Sequence, residues 1–145
     1  MPVISMARAI NAGVGRVFNI VTNPENWTRY VTSLVDVRDL SPGAPKKGST
    51  FNWEYKMMGA RFKGKGTVTE NVRNKSFGLH MEGRFPIRES YEFHDTGDGS
   101  TELTVKIEYG MPSAMQKIVP EKLMEKLNQL EAKSVLDKIK TLCEA

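Results

Sequence analysis

The chain has 145 residues, 39% of them apolar and 26% charged, with a net charge of +4 and one cysteine. That length suits one domain with a sizeable core, 1–145, while Cys143 alone cannot form an internal disulfide and no apolar run is long enough to span a bilayer. Met1 to Ile10 is too short and too polar for a secretory leader, so a cytoplasmic protein is expected, and solubility accounts for the mild basic charge.

Val3 to Ile10 alternates loosely and predicts a first strand. Asn11 can cap a short helix that carries Val14, Val17, Phe18 and Val21 on one face, weakened by Gly13 and Gly15. Asn23-Pro24 opens a second short helix, with Asn at the cap and Pro at the first position, bearing Trp27 and Tyr30. Ser33 to Leu40 reads as strand two, and the Pro- and Gly-rich run from Ser41 to Gly48 reads as a loop.

Five strands follow. Thr50 to Met57 places Phe51, Trp53, Tyr55 and Met57 opposite Asn52, Glu54 and Lys56. Arg61 to Asn71 places Phe62, Gly64, Gly66 and Val68 opposite Arg61, Lys63, Lys65 and Thr67. Ser76 to Glu82 presents Phe77, Leu79 and Met81. Phe85 to His94 presents Ile87, Glu89, Tyr91 and Phe93, and Thr101 to Tyr109 presents Leu103, Val105, Ile107 and Tyr109. This period-two alternation predicts an antiparallel meander with one dry and one wet face.

From Pro112 to Cys143 comes the one long helical pattern, with the main helix opening near Pro120 and Glu121. Met115, Val119, Leu123, Leu127 and Leu130 share one side, whereas Ala132, Val135, Leu136, Ile139, Leu142 and Cys143 share nearly the opposite one. The pattern predicts either a kink near Gln129 to Lys133 or a helix covered on different sides along its length. One long helix after a run of strands implies a sheet curled around it. The fold class expected is α+β: a curved antiparallel sheet of about seven strands on a C-terminal helix, with two short helices between strands one and two. The first strand should lie at a sheet edge or beside the last strand, with no parallel βαβ unit.

Several residues carry a resemblance: Ile4 and Ala7, Val17-Phe18, Asn23-Pro24-Glu25-Asn26-Trp27, and the loop closing at Gly48. To these add Tyr91-Glu92-Phe93 with Gly99-Ser100-Thr101, and Leu136 to Lys140 with Glu144. In this ordered set, spanning essentially the whole chain, the sequence resembles the START-like helix-grip superfamily (SRPBCC), of the polyketide cyclase/dehydrase and lipid-transport type. Gly13-Val14-Gly15-Arg16 stands where that family usually opens its first helix with proline and acidic residues, which puts the helix boundary in question. The resemblance implies a curved sheet gripping the C-terminal helix, with a cavity for an apolar ligand between them. It implies no single chemistry, since its members include carriers, cyclases, chaperone-like factors and dehydratases.

The aromatic strand faces are the strongest functional signal. A packed core explains them; so does an apolar cavity with a few polar handles. On the second reading the ligand-binding set is Phe51, Trp53, Tyr55, Phe62, Phe77, Leu79, Met81, Glu89, Tyr91, Phe93, Met115, Val119 and Leu123. Gly64 and Gly66 would leave empty space on that face, or equally mark a strand bend. Glu89 is the candidate acid/base residue, because a carboxyl on a dry face needs a partner or a raised pKa; near a strand end it would instead reach water.

His80 and His94 fall on the wet face with no further ligand at suitable spacing, so no metal site is expected. No nucleophile is visibly paired with a base, Gly13-Val14-Gly15 lacks the third glycine of a dinucleotide fingerprint, and no cofactor is expected. Lys56, Arg61, Lys63 and Lys65 form a basic wet face that solvation explains, and no specific nucleic-acid partner is expected. Met57 and Met58 make an apolar hairpin tip suited to weak membrane or protein contact, and Met111 with Met115 would line the same mouth. The leading reading is binding or transport of a small hydrophobic molecule such as a lipid, quinone or polyketide. The rivals are a cyclase or dehydratase using Glu89 and a tyrosine, and a protein-interaction module without ligand.

Overall fold

The computed structural model describes residues 3–43, 45–57, 59–110, 114 and 117–145. Seven strands, β1 (Val3–Ile10), β2 (Leu34–Arg38), β3 (Thr50–Met57), β4 (Ala60–Val72), β5 (Ser76–Gly83), β6 (Ile87–Asp95) and β7 (Thr101–Tyr109), form one antiparallel sheet. Its order is β1-β7-β6-β5-β4-β3-β2, so the first strand lies at an edge beside the last, as expected, and β2 forms the other edge. Two short helices, α1 (Val14–Thr22) and α2 (Pro24–Tyr30), connect β1 to β2, and α3 (Glu121–Glu144) follows β7.

Several boundaries differ from the sequence expectation. The first helix starts after Gly13, which holds the cap position and has no side chain to cap with, while the Asn11 backbone N–H donates to the Glu144 carboxylate at 2.8 Å. Asn23 does cap the second helix, its Oδ1 accepting the Glu25 N–H at 3.1 Å. Strand two is shorter than Ser33 to Leu40, since Asp39 turns to φ 55 and a bulge lies between Leu34 and Asp36.

Helix α3 is 24 residues long, roughly 35 Å at 1.5 Å per residue, and opens where Pro120 and Glu121 predict. The Leu123 and Met124 N–H groups both donate to Pro120 O. Its buried stripe is continuous: Met124, Asn128, Ala132, Val135, Leu136, Ile139 and Cys143. The expected switch of faces is therefore absent. Leu123 and Leu130 are 44% and 55% exposed, and the inward position between the two halves is held by Asn128. Its side-chain amide donates to Met124 O at 2.7 Å, which makes a buried Asn tolerable in the helix interior.

The far end of α3 is clasped. Arg16 donates to Cys143 O at 2.8 Å and Ala145 O at 3.2 Å, Lys140 donates to Ala9 O at 3.2 Å, and Arg8 pairs with Asp137 at 2.6 Å. The helix packs mainly on β1, flanked by α1 and α2, and the concave sheet face closes the core beneath it.

Candidate functional site

Strand alternation carries β6 residues Ile87, Glu89, Tyr91 and Phe93 to the inner face, where all four are buried. Glu89 is only 4% exposed. Tyr91 Oη donates to Glu89 Oε2 at 3.1 Å. From α2, Tyr30 sets its ring edge-on to Tyr91 at 6.1 Å, the two hydroxyls neighbouring each other, and donates to Val21 O at 2.8 Å. From α3, the Glu131 carboxylate reaches across the grip to the far edge of the sheet. It accepts from Tyr55 Oη at 3.2 Å and from Ser33 Oγ at 3.1 Å.

Burial dominates the electrostatics of this cluster. It pushes the Glu89 carboxyl up to about 7, the Tyr91 hydroxyl partly opposing and the Glu131 charge adding to the rise. Burial first, and the neighbouring carboxylates second, push the Tyr30, Tyr55 and Tyr91 hydroxyls well above the usual phenol range. The tyrosines therefore stay protonated as donors, while Glu89 can take up or release a proton near neutrality.

Around the cluster the wall is aromatic. At one end Trp27 lies 5.1 Å from Phe51 and 6.0 Å from Phe77, and Phe18 meets Phe93 at 5.1 Å. Phe77 and Phe93 are thus covered by the short helices and belong to the core. At the other end Phe62, Phe85 and Tyr109 form a row, Phe85 stacking on Tyr109.

The glycines do not leave the gap expected of them. Trp53 lies opposite Gly64, which lies opposite Gly83, and Phe51 lies opposite Gly66. A Cβ at Gly66 would stand 2.2 Å from the Phe51 ring. At Gly64 it would stand 2.7 Å from Trp53 Cζ2 and 1.8 Å from Glu82 O. The rings of β3 fill the trench that the glycines make.

Of the expected ligand-binding set, Phe51, Trp53, Tyr55, Phe62, Phe77, Leu79, Met81, Glu89, Tyr91, Phe93 and Val119 are buried. Leu123 is on the solvent side, and Met115, Met111 and Met58 lie outside the described residues; Met57 is half-buried. Tyr30, Phe85, Asn128 and the half-buried Glu131 join the interior without having been named as candidates, and Tyr109 is buried on the dry face where the alternation of its strand put it. Of those not named, Phe85 carried a signal, since its parity matches Ile87 in the expected strand Phe85 to His94.

On the wet face part of the charge is matched. Glu54 pairs with Arg61 and with Lys63 at 3.5 Å, and Arg61 holds its carboxyl below the usual range. A groove of about 280 Å³ on this outer surface is bordered by His80, Arg88, Ser90 and Lys106. Lys106 is paired with Glu92 at 3.1 Å. Among the described residues no helix is long and apolar enough to cross a membrane.

A seven-stranded antiparallel sheet wrapped on a long C-terminal helix, with two short helices after the first strand, defines the START-like helix-grip class. Residues 1–144 match the sequence profile described as polyketide cyclase / dehydrase and lipid transport, and the chain belongs to that family. No curated protein sequence matches it. Its fold is similar to that of a protein from Thermus thermophilus, TM-score 0.80 at 18% identity, covering 97% of this chain and 95% of that one. It is also similar to a START superfamily protein from Mycobacterium smegmatis, TM-score 0.77 at 17% identity over 98% and 97%. The Zhui aromatase/cyclase from a Streptomyces species superposes with TM-score 0.77 at 7% identity over 99% and 93%. Identities this low carry the fold, and the chemistry has to come from the site.

Proposed function

We propose that residues 1–145 act as one domain that binds or carries a small, mainly apolar molecule of lipid, quinone or polyketide type between the sheet and α3. Supporting this reading is Glu89, a carboxyl closed off on the inner face of an aromatic wall and held by the Tyr91 hydroxyl. A close-packed core gains nothing from a buried carboxyl, whereas a binding site uses one to orient a polar group. Native mass spectrometry of protein from its own host, with titration by an apolar fluorescent probe, tests it. A co-purified small molecule and saturable probe binding are expected. Bare protein that binds no probe would overturn the reading.

One observation favours an enzyme on the same site: Glu89 titrates near neutrality beside a tyrosine hydroxyl, which suits proton transfer to or from a carbonyl-bearing substrate in a cyclase or dehydratase. In that case Glu89→Gln abolishes turnover and leaves binding intact.

A further inference from the structure

Trp53 is 2% exposed, and its Nε1–H has no acceptor among the described residues. The neighbouring donors are all met. Trp27 Nε1–H donates to Val21 O at 3.0 Å, Tyr55 donates to Glu131, and Tyr91 donates to Glu89. A buried donor without an acceptor is destabilising, and folded proteins seldom keep one without a use.

The indole is not loosely placed. It lies over two adjacent glycines, with Cζ2 2.7 Å from where a Gly64 Cβ would stand and 3.2 Å from where a Gly83 Cβ would stand. Nε1 and Cζ2 are on the same edge of the ring, so the glycine bed that seats Cζ2 also fixes the direction of the N–H. A donor held this firmly loses little freedom on meeting an acceptor.

We infer that Trp53 Nε1–H is a specificity-determining donor for the bound molecule, which presents a neutral acceptor oxygen, such as a ketone, quinone or ester carbonyl, to the floor of the grip. The inference rests on the ligand-binding reading above. An indole N–H only donates, so the partner group must accept. An anionic group is disfavoured, because Glu89 and Glu131 share the same interior. A plain hydrocarbon would leave the N–H unmet.

Fluorenone and fluorene test this, having the same three-ring shape and differing by one carbonyl. Each is titrated into the wild type and Trp53→Phe, following affinity and the indole N–H resonances, with Trp53 assigned by its loss in the variant. Fluorenone should bind about tenfold tighter than fluorene. It should also move the Trp53 resonance. Trp53→Phe should bring the two affinities together. Equal wild-type affinities, or an indole resonance unmoved by bound fluorenone, overturn the inference and leave the ligand reading standing. Binding of neither probe counts against the ligand reading itself. If Trp53→Phe does not fold, the resonance that remains in Trp27→Phe assigns Trp53, and the wild-type affinity ratio and the indole shift decide.

Discussion

Tyr91 and Glu89 stand two residues apart on one face of β6, and the Tyr91 hydroxyl donates to the Glu89 carboxyl inside a closed interior. Burial therefore works on an acid whose one hydroxyl partner only partly offsets it. A carboxyl whose folded pKa is raised stabilises the fold below its unfolded value, and that contribution is lost as pH rises through the folded value. For Glu89 the window runs from 4.5 to about 7. Unfolding free energy should fall across this window. Glu89→Gln keeps an acceptor for Tyr91 and should flatten the profile, with a gain on the order of 3 kcal/mol above the window. Urea unfolding of both proteins at several pH values checks it; parallel profiles would contradict it.

Seating rings over glycines makes the bed intolerant of side chains. Gly64→Ala meets a backbone carbonyl and should cost at least roughly 1–3 kcal/mol. Gly66→Ala meets the Phe51 ring first, so Phe51→Leu in the same chain should recover part of its loss. A double-mutant cycle on unfolding midpoints measures the coupling, and additive losses would mean the ring does not rest there.

The buried stripe of α3 separates two methionine- and leucine-type positions sharply. Met124→Ala should cost about 2–5 kcal/mol. Leu130→Ala, on the solvent side, should stay within about 0.5 kcal/mol. The reverse ranking in thermal or urea unfolding would restore the two-sided helix.

Because Glu54 already holds Arg61 and Lys63, the basic face should be a poor phosphate ligand. Any DNA or RNA binding should be weak and should vanish by roughly 0.2 M salt. Retention on nucleic acid at that salt, measured by filter binding, would contradict this.

Strand faces were legible from sequence because period-two alternation survives any register: Phe51, Trp53, Tyr55, Phe77, Tyr91 and Phe93 are all buried where parity placed them. The register of α3 was not legible. Pattern reading equates apolar with inward, and here an Asn sits inward while Leu123 and Leu130 face water. Glu131 was hidden for a different reason. Its partners, Tyr55 and Ser33, are 76 and 98 residues away, and nothing local marks it. The glycines were seen to face inward, but only strand pairing tells that Trp53 and Phe51 lie across them.

The clasp around the end of α3 makes the helix a lever with a fixed end. Arg16, Lys140 and Asn11 tie its last turns to β1 and α1, while its opening turns are held by the buried Met124 and Asn128 and the half-buried Leu127. Local opening then costs least at the Glu121 end and most near Cys143. Amide exchange should slow steadily along the helix, and the sheet should part from it as a hinge pivoting at the clasp rather than by lifting away whole.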